Sequence, residues 1–327
     1  MSFAVIHSPE EWSANLGDSS RTVLTIGNFD GVHLGHQQII KSVVESASRE
    51  HCIPAALTFW PHPLRIVRPE IAPLLIEPLP QRLVHLESLG LDAVFVLPFD
   101  HSVASLPPGD FIRRILVDTM HARAVGVGEN FRFGHRQAGN VQVLRELGRS
   151  IGHGLSFNVE CISPVILRGI IVSSSAIRAA ISNGHMPQAA RLLGRPFSLA
   201  GEIHTGTGTG RRFVFPTLNL STEQELLPAH GVYATETVVR GLTYRSATNV
   251  GVRPTFDGSK LAIESHLFDF SDEITSGQME VRFWLRLRDE KKFPGPEALR
   301  AQIQQDISHT RIFFSRLDAA RRLCKRS

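Results

Sequence analysis

The sequence predicts an α/β domain built on a parallel sheet, followed by a smaller antiparallel β-barrel that ends in helices. Three observations predict it. In the first part of the chain, apolar runs alternate with segments of helical periodicity. Beyond about residue 185, six strand-like runs follow one another with turn residues between them. Finally, the stretch VLTIGNFDGVHLGHQ at 23–37 joins an apolar run to a helix through a glycine-punctuated turn that carries two histidines.

Taken in order, apolar runs at 23–26, 55–59, 93–97, 124–127 and 157–162 alternate with helix-like segments near 36–49, 80–89, 109–118, 139–148 and 174–183. Right-handed crossovers would set the turns at 27–33, 60–65 and 128–136 along one edge of the sheet. The texture changes after Asn183 and Gly184, where the helical piece PQAARLLG leads to Arg195 and Pro196, so the domains are expected at 1–185 and 186–327. Strands near 199–205, 213–220, 231–239, 242–250, 261–269 and 279–287 then suit a small barrel, and two helical segments at 296–307 and 310–323 close the chain.

A length of 327 residues favours two domains, and 42% apolar residues lets each bury a core. Thirty-five Lys and Arg against 31 Asp and Glu give a net charge of only +4, which suits anionic ligands without demanding nucleic acid. Cys52, Cys161 and Cys324 are odd in number and lack C-x-x-C spacing, which argues against a disulfide framework or a zinc site. The start, MSFAVIHSPEEW, lacks the pattern of a signal peptide, and no apolar run approaches membrane-spanning length. A reducing cytoplasm with no membrane partner is the expected setting.

The 23–37 turn is a place to hold phosphates. Gly27 and Gly31 let backbone approach a ligand, the following helix turns its first amides towards it, and His33 and His36 lie one helical turn apart. The alternative is a pair of surface histidines capping a helix, with Asp30 a turn residue. Ser173, Ser174 and Ser175 can open a helix with free amides and hydroxyls, and Arg178 stands one turn on along the same face. Asn130, followed by Phe131, Phe133 and Gly134, offers an amide beside an apolar wall suited to a planar ring, or else a core-facing phenylalanine pair. His62, between two prolines, is either structural or a ligand contact.

In the second part, Gly206, Gly208 and Gly210 would make a loop able to fold over phosphates, with Arg211 and Arg212 adding charge. Thr217 and Asn219 present a hydroxyl and an amide carbonyl at period two, hence on one face, where hard oxygen donors can bind magnesium; an ordinary hairpin is the alternative. Glu264 lies in the otherwise apolar strand LAIESHLFDF, either as a paired structural charge or as a general base.

The ordered motifs GNFDGVHLGH, PHP, GENFRFG and SSSAIR, then GRPF, the Gly-rich loop with FPTLN, HGVYA, NVGVRPTF and ESHLFDF, resemble the bacterial bifunctional riboflavin kinase/FAD synthetase family over nearly the whole chain. The resemblance implies a Rossmann-like nucleotidyltransferase domain and a riboflavin kinase barrel with terminal helices. It implies that riboflavin and ATP give FMN in the barrel, and that FMN and ATP give FAD and pyrophosphate in the first domain, with ATP as co-substrate and Mg2+ as cofactor.

By the same similarity, His33 and His36 are catalytic, and they bind ATP phosphates together with Gly27, Phe29, Asp30, Gly31, Gly35, Ser173, Ser174, Ser175 and Arg178. Asn130 contacts the nucleotide, while Asn28, His62 and Phe131 contact flavin. In the kinase half, Gly206, Gly208, Gly210, Arg211 and Pro216 bind ATP, Thr217 and Asn219 hold the metal, Glu264 is the base and Arg288 lies at the flavin. The chain departs from the family pattern at Trp60, Ser175, Val214 and Leu218. Alternative readings are an FAD synthetase with a weak or inactive kinase domain, and a flavin- or RNA-binding regulator that keeps the fold.

Overall fold

The computed structural model describes residues 3–150, 156–204, 217–255, 258–272 and 274–324, and the chain forms two compact units, Met1–Ser174 and Ser175–Ser327.

The first unit opens with β1 (Ala4–Ile6), α1 (Pro9–Leu16), β2 (Thr22–Ile26), α2 (Leu34–Glu50), β3 (Ile53–Trp60) and α3 (Pro63–Val67). It continues through α4 (Leu79–Ser88), β4 (Ala93–Pro98), α5 (His101–Ala104), α6 (Pro108–Phe111), β5 (Ala122–Gly128), β6 (Arg132–Phe133), β7 (Gly139–Asn140), α7 (Val141–Ser150) and β8 (Asn158–Ile162). A hairpin of β9 (Ile166–Leu167) and β10 (Ile170–Ile171) precedes its end. Six strands form one parallel sheet in the order β1-β4-β3-β2-β5-β8.

Both faces of that sheet are covered, which is why its strands read as continuous apolar runs. On one face Leu24, Ile26, Leu57, Phe95, Val125 and Val127 pack with Trp12, Ile112 and Leu116. On the other, Val23, Ala56, Val94 and Ala124 pack with Ile40, Val43 and Ala47 of α2 and Leu86 of α4. The segment expected as a helix near 109–118 begins as α6 and winds on as a π-helix over Ile112–Thr119. Strands β2, β3 and β4 step outward in one direction and β5 departs in the other, so the chain reverses between β2 and β5. In open α/β sheets that reversal leaves a crevice at the carboxyl ends of the strands. The turn that follows β2 and the loop that follows β5 both issue there.

The second unit begins at Ser175, inside α8 (Ser174–Ser182), continues through α9 (Met186–Leu193), then closes a barrel from β11 (Phe197–His204), β12 (Leu218–Ser221), β13 (Gly231–Val239), β14 (Leu242–Thr255), β15 (Gly258–Leu267) and β16 (Gln278–Arg288). The order is β11-β12-β15-β14-β13-β16, with every neighbouring pair antiparallel. Leu199, Leu218, Leu220, Ile263, Val281 and Phe283 are among its buried residues. Leu218, a departure from the family pattern, is thus a matter of core packing. Beside them runs a fully buried seam of hydroxyls in which Thr235 bonds Ser246 and Thr248, Ser246 bonds Thr237, and Thr248 bonds Ser265, all at 2.7–2.8 Å.

The two closing helices expected at 296–307 and 310–323 are one continuous α10 (Pro296–Cys324). No proline or glycine interrupts them, and Thr310 Oγ1 donates to the Asp306 carbonyl at 2.8 Å, so the polar stretch at 308–310 continues the helix. Its buried stripe is Asp306, Thr310 and Phe314, spaced i, i+4, i+8. Arg288 and Arg245 tie it to the barrel through Asp306 and Asp318. No helix among the described residues is long and apolar enough to cross a membrane.

One close approach sets a limit on the barrel. A Cβ on Gly201 of β11 would lie 1.8 Å from the Ser221 carbonyl oxygen of β12, a backbone atom that cannot rotate away. Gly201→Ala is therefore expected to destabilise the barrel by about 3 kcal/mol or more. Thermal unfolding checks this, and a melting point equal to the parent's would contradict it.

Candidate active sites

The turn after β2 is the centre of the first site. Phe29, Gly31 and Val32 have φ of 48°, 83° and 35°, so the backbone passes three times through the left-handed region. For the β-branched Val32 that conformation is strained. The turn ends at His33, the N-cap of α2, whose Nδ1 accepts from the His36 amide at 3.3 Å. The Leu34 and Gly35 amides at the head of this helix have no partner among the described residues, so the positive end of its dipole is open.

With Nδ1 occupied as an acceptor, the His33 ring has Nε2 left to act as a donor. Its ring stacks on that of His36, with centroids 3.6 Å apart and planes 15° apart, while the Phe29 ring meets His36 edge-on at 5.3 Å. Gly35 permits this stack, because a Cβ there would lie 3.2 Å from the His33 ring. Burial, then the neighbouring His33, then Arg82, hold the His36 imidazole well below its ordinary value of 6.5, so it is neutral at pH 7.

That neutrality links stability to pH. Unfolded, His36 takes up a proton below about pH 6.5, and folded it resists. Its contribution is whole above that value and drains as pH falls towards the folded one, at up to about 1.4 kcal/mol per pH unit. Between pH 7.5 and 5 the parent should lose more melting temperature than His36→Gln, and equal slopes would contradict the link.

The remaining predicted groups of this unit lie on several elements. Asp30 is 2% exposed, and its carboxylate accepts from the Ile76 amide at 3.0 Å and the Glu77 amide at 3.4 Å. It therefore pins the 76–77 segment beneath the turn. Ser174 Oγ donates to the Asp30 carbonyl at 2.9 Å, which puts Ser174 beside the turn. Asn28 and His62 meet at 3.1 Å. Because His62 Nδ1 accepts from the Leu64 amide at 3.2 Å, its Nε2 carries the proton and the Asn28 amide must turn its oxygen towards it. Asn130 is exposed on the loop after β5, and Phe131 is half-buried, stacked on Phe133 at 5.5 Å against the core. In the second unit, Arg178 stands one turn beyond Ser174 on α8 and is half-buried, and Ser175 is exposed. Gly27 is half-buried between β2 and the turn.

The second site lies on the outer face of the barrel. Thr217 and Asn219 are half-buried while Leu218 and Leu220 are buried, so the first two share a face. Asn219 stands directly opposite Glu264 of β15, and Glu264 stands directly opposite Asn249 of β14. Alternation with the buried Ile263 and Ser265 turns Glu264 to the same outer face. Asn249 escaped the sequence reading, although NVGVRPTF contains it. Gly206, Gly208, Gly210, Arg211, Val214 and Pro216 lie outside the described residues. Arg288 donates from Nε and Nη2 to Asp306 at 3.0 and 2.8 Å, a two-pronged tie between β16 and α10.

Comparison with known proteins gives the class. A family model for FAD synthetase matches residues 16–176 and one for riboflavin kinase matches 193–314, so this is a two-site nucleotidyl- and phosphotransferase. Bifunctional riboflavin kinase/FMN adenylyltransferases are similar over most of their length. That of Haemophilus influenzae is 34% identical over 89% of this chain and 94% of its own. That of Pseudomonas fluorescens is 35% identical over 88% and 92%, and that of Escherichia coli K12 is 32% identical over 89% and 92%. A solved Streptococcus pneumoniae structure, described as a macrolide-efflux protein, superposes with a TM-score of 0.83 at 27% identity, covering 94% of this chain and 99% of that one. The chain belongs to the bifunctional riboflavin kinase/FMN adenylyltransferase family, and it is an enzyme of flavin cofactor biosynthesis.

Proposed function

We propose that the two activities divide at about residue 185, with FMN adenylylated to FAD in 1–185 and riboflavin phosphorylated in 186–327. In the first, an oxygen of the FMN phosphate attacks the α-phosphorus of ATP, the bond to the bridging oxygen breaks, and pyrophosphate leaves. That phosphate is already largely ionised near neutral pH, so the step needs alignment and charge stabilisation more than a base. His33 and His36 supply imidazole donors, the Leu34 and Gly35 amides supply the helix head, and Ser173, Ser174, Ser175 and Arg178 complete the phosphate grip. Asn130 meets the nucleotide, and Asn28, His62 and Phe131 meet the flavin. The helix head opening at the reversal between β2 and β5 supports this assignment.

In the second half, the ribityl hydroxyl of riboflavin is a poor nucleophile and needs a proton acceptor. Glu264 takes its proton as the oxygen bonds to the γ-phosphorus of ATP and ADP leaves. The Thr217 hydroxyl and Asn219 carbonyl are hard oxygen donors of the kind magnesium prefers, and the ion would neutralise charge on the ATP oxygens. The observation that carries the assignment is the direct register of Asn219 with Glu264. The enzyme works in the cytoplasm on riboflavin, FMN and ATP.

Incubating the pure chain with ATP, magnesium and either riboflavin or FMN, then separating the flavins, tests the whole. FMN and FAD are expected from riboflavin, and FAD with pyrophosphate from FMN. A chain that makes FAD from FMN but no FMN from riboflavin would overturn the kinase assignment.

A further inference from the structure

Beneath the adenylyltransferase turn lies a buried cation that no motif marks. Arg82 sits on α4 between Leu79, Leu83 and Leu86, on the stripe that packs into the core, and is 1% exposed. Its Nη1 donates to the Asn28 carbonyl at 2.9 Å, its Nη2 donates to the Glu77 carbonyl at 3.5 Å, and Nη2 also lies 3.8 Å from Asp30 Oδ1. Asp30 in turn holds the Ile76 and Glu77 amides, and Glu77, itself 2% exposed, meets His85 at 2.8 Å.

One guanidinium thus grips the turn on both sides of Phe29, at the carbonyl before it and the carboxylate after it. That is where the backbone enters its left-handed run. Conformations of this kind are strained and persist only where their surroundings over-determine them. A planar fork with several donors fixes two acceptors at a set angle, which a lysine ammonium cannot do.

We propose that Arg82 is a positioning residue for FAD formation, holding the turn so that His33, His36 and the head of α2 meet the phosphates together. This rests on the assignment of that turn as the adenylyl-transfer site. Arg82 touches neither substrate; it acts through Asn28 and Asp30. Burial presses on its charge, and Asp30 and Glu77 oppose that pressure, which keeps a cation under the site.

Arg82→Met and Arg82→Lys test the role in the full chain, with riboflavin phosphorylation as an internal control and His36→Ala as the reference. A misplacement of about 1 Å costs on the order of a hundredfold in rate. Arg82→Met should therefore lower kcat for FAD formation from FMN about a hundredfold while leaving FMN formation unchanged. NMR titration reads whether the guanidinium charge reaches the imidazole pair, and the partial rescue by Arg82→Lys separates loss of the fork from loss of the charge. His36 is faced by the His33 and Phe29 rings, and Arg82 adds a smaller repulsion to its protonated form after burial and His33, so losing the guanidinium charge should let its imidazole titrate at higher pH. Arg82→Lys keeps the charge and should leave the titration in place, with a loss of about tenfold in kcat.

Parent kcat in folded Arg82→Met, or an unmoved His36 titration, overturns the proposal. If Arg82→Met does not fold, parent kcat in Arg82→Lys overturns it. Should His36→Ala itself make FAD at the parent rate, the reading of the turn fails instead. A dead His36→Ala beside an unaffected Arg82→Met refutes only the arginine's part.

Discussion

Glu264→Gln is expected to lower FMN formation from riboflavin by about 10²–10⁴-fold, the usual contribution of a positioned general base, while FAD formation from supplied FMN stays at the parent rate. Glutamine keeps the shape of the side chain and its place opposite Asn219, so the barrel should fold unchanged. What it loses is the capacity to accept the ribityl proton. The two reactions share ATP but start from different nucleophiles, a neutral hydroxyl in one and an ionised phosphate in the other, and only the first needs that proton removed. Quantifying both products from one preparation makes each reaction the control for the other. Equal loss of both activities would sink the division of roles.

His33→Ala together with His36→Ala should produce the mirror image, with FAD formation reduced by about 10³-fold or more and riboflavin phosphorylation intact. Removing a single donor that meets developing charge costs about 10²–10³-fold, and here two go together with the cap of α2. The rings lie only 3.6 Å apart, so they act as one unit and their separate effects should not add. The single variants should each fall most of the way to the double. A stable double variant with undiminished FAD output would remove the turn from the mechanism.

Much of the architecture was readable because its signals are local. Strands β2, β4 and β5 are buried on both faces, and such strands leave unbroken apolar runs. The barrel was readable from alternation and turn residues. By contrast, β1 is three residues long and carries too little pattern to be seen before it pairs with β4. The closing helix was divided because Ser308, His309 and Thr310 interrupt the apolar period, whereas in the fold Thr310 is buried and bonded to its own helix.

The candidate sites were legible where chemistry is carried by a compact motif, as at His33 and His36 or Thr217 and Asn219. Arg82 was not. A charged residue on a helix reads as solvated surface, and its partners lie 54 and 52 positions away at Asn28 and Asp30. The one hint was its place within a stripe of leucines. Asn249 went unseen for a related reason, since its register with Glu264 exists only once β14 and β15 pair.

The five hydroxyls sealed inside the barrel restrict how that wall can drift. Thr235 serves Ser246 and Thr248 at once, and Thr248 passes the chain on to Ser265. A lone exchange to valine strands its former neighbours out of reach of water, so tolerated replacements should arrive in concert, as matched sets spanning three strands. Descendants of this sequence would then carry either the whole ladder or an oily wall, with mixtures scarce between them.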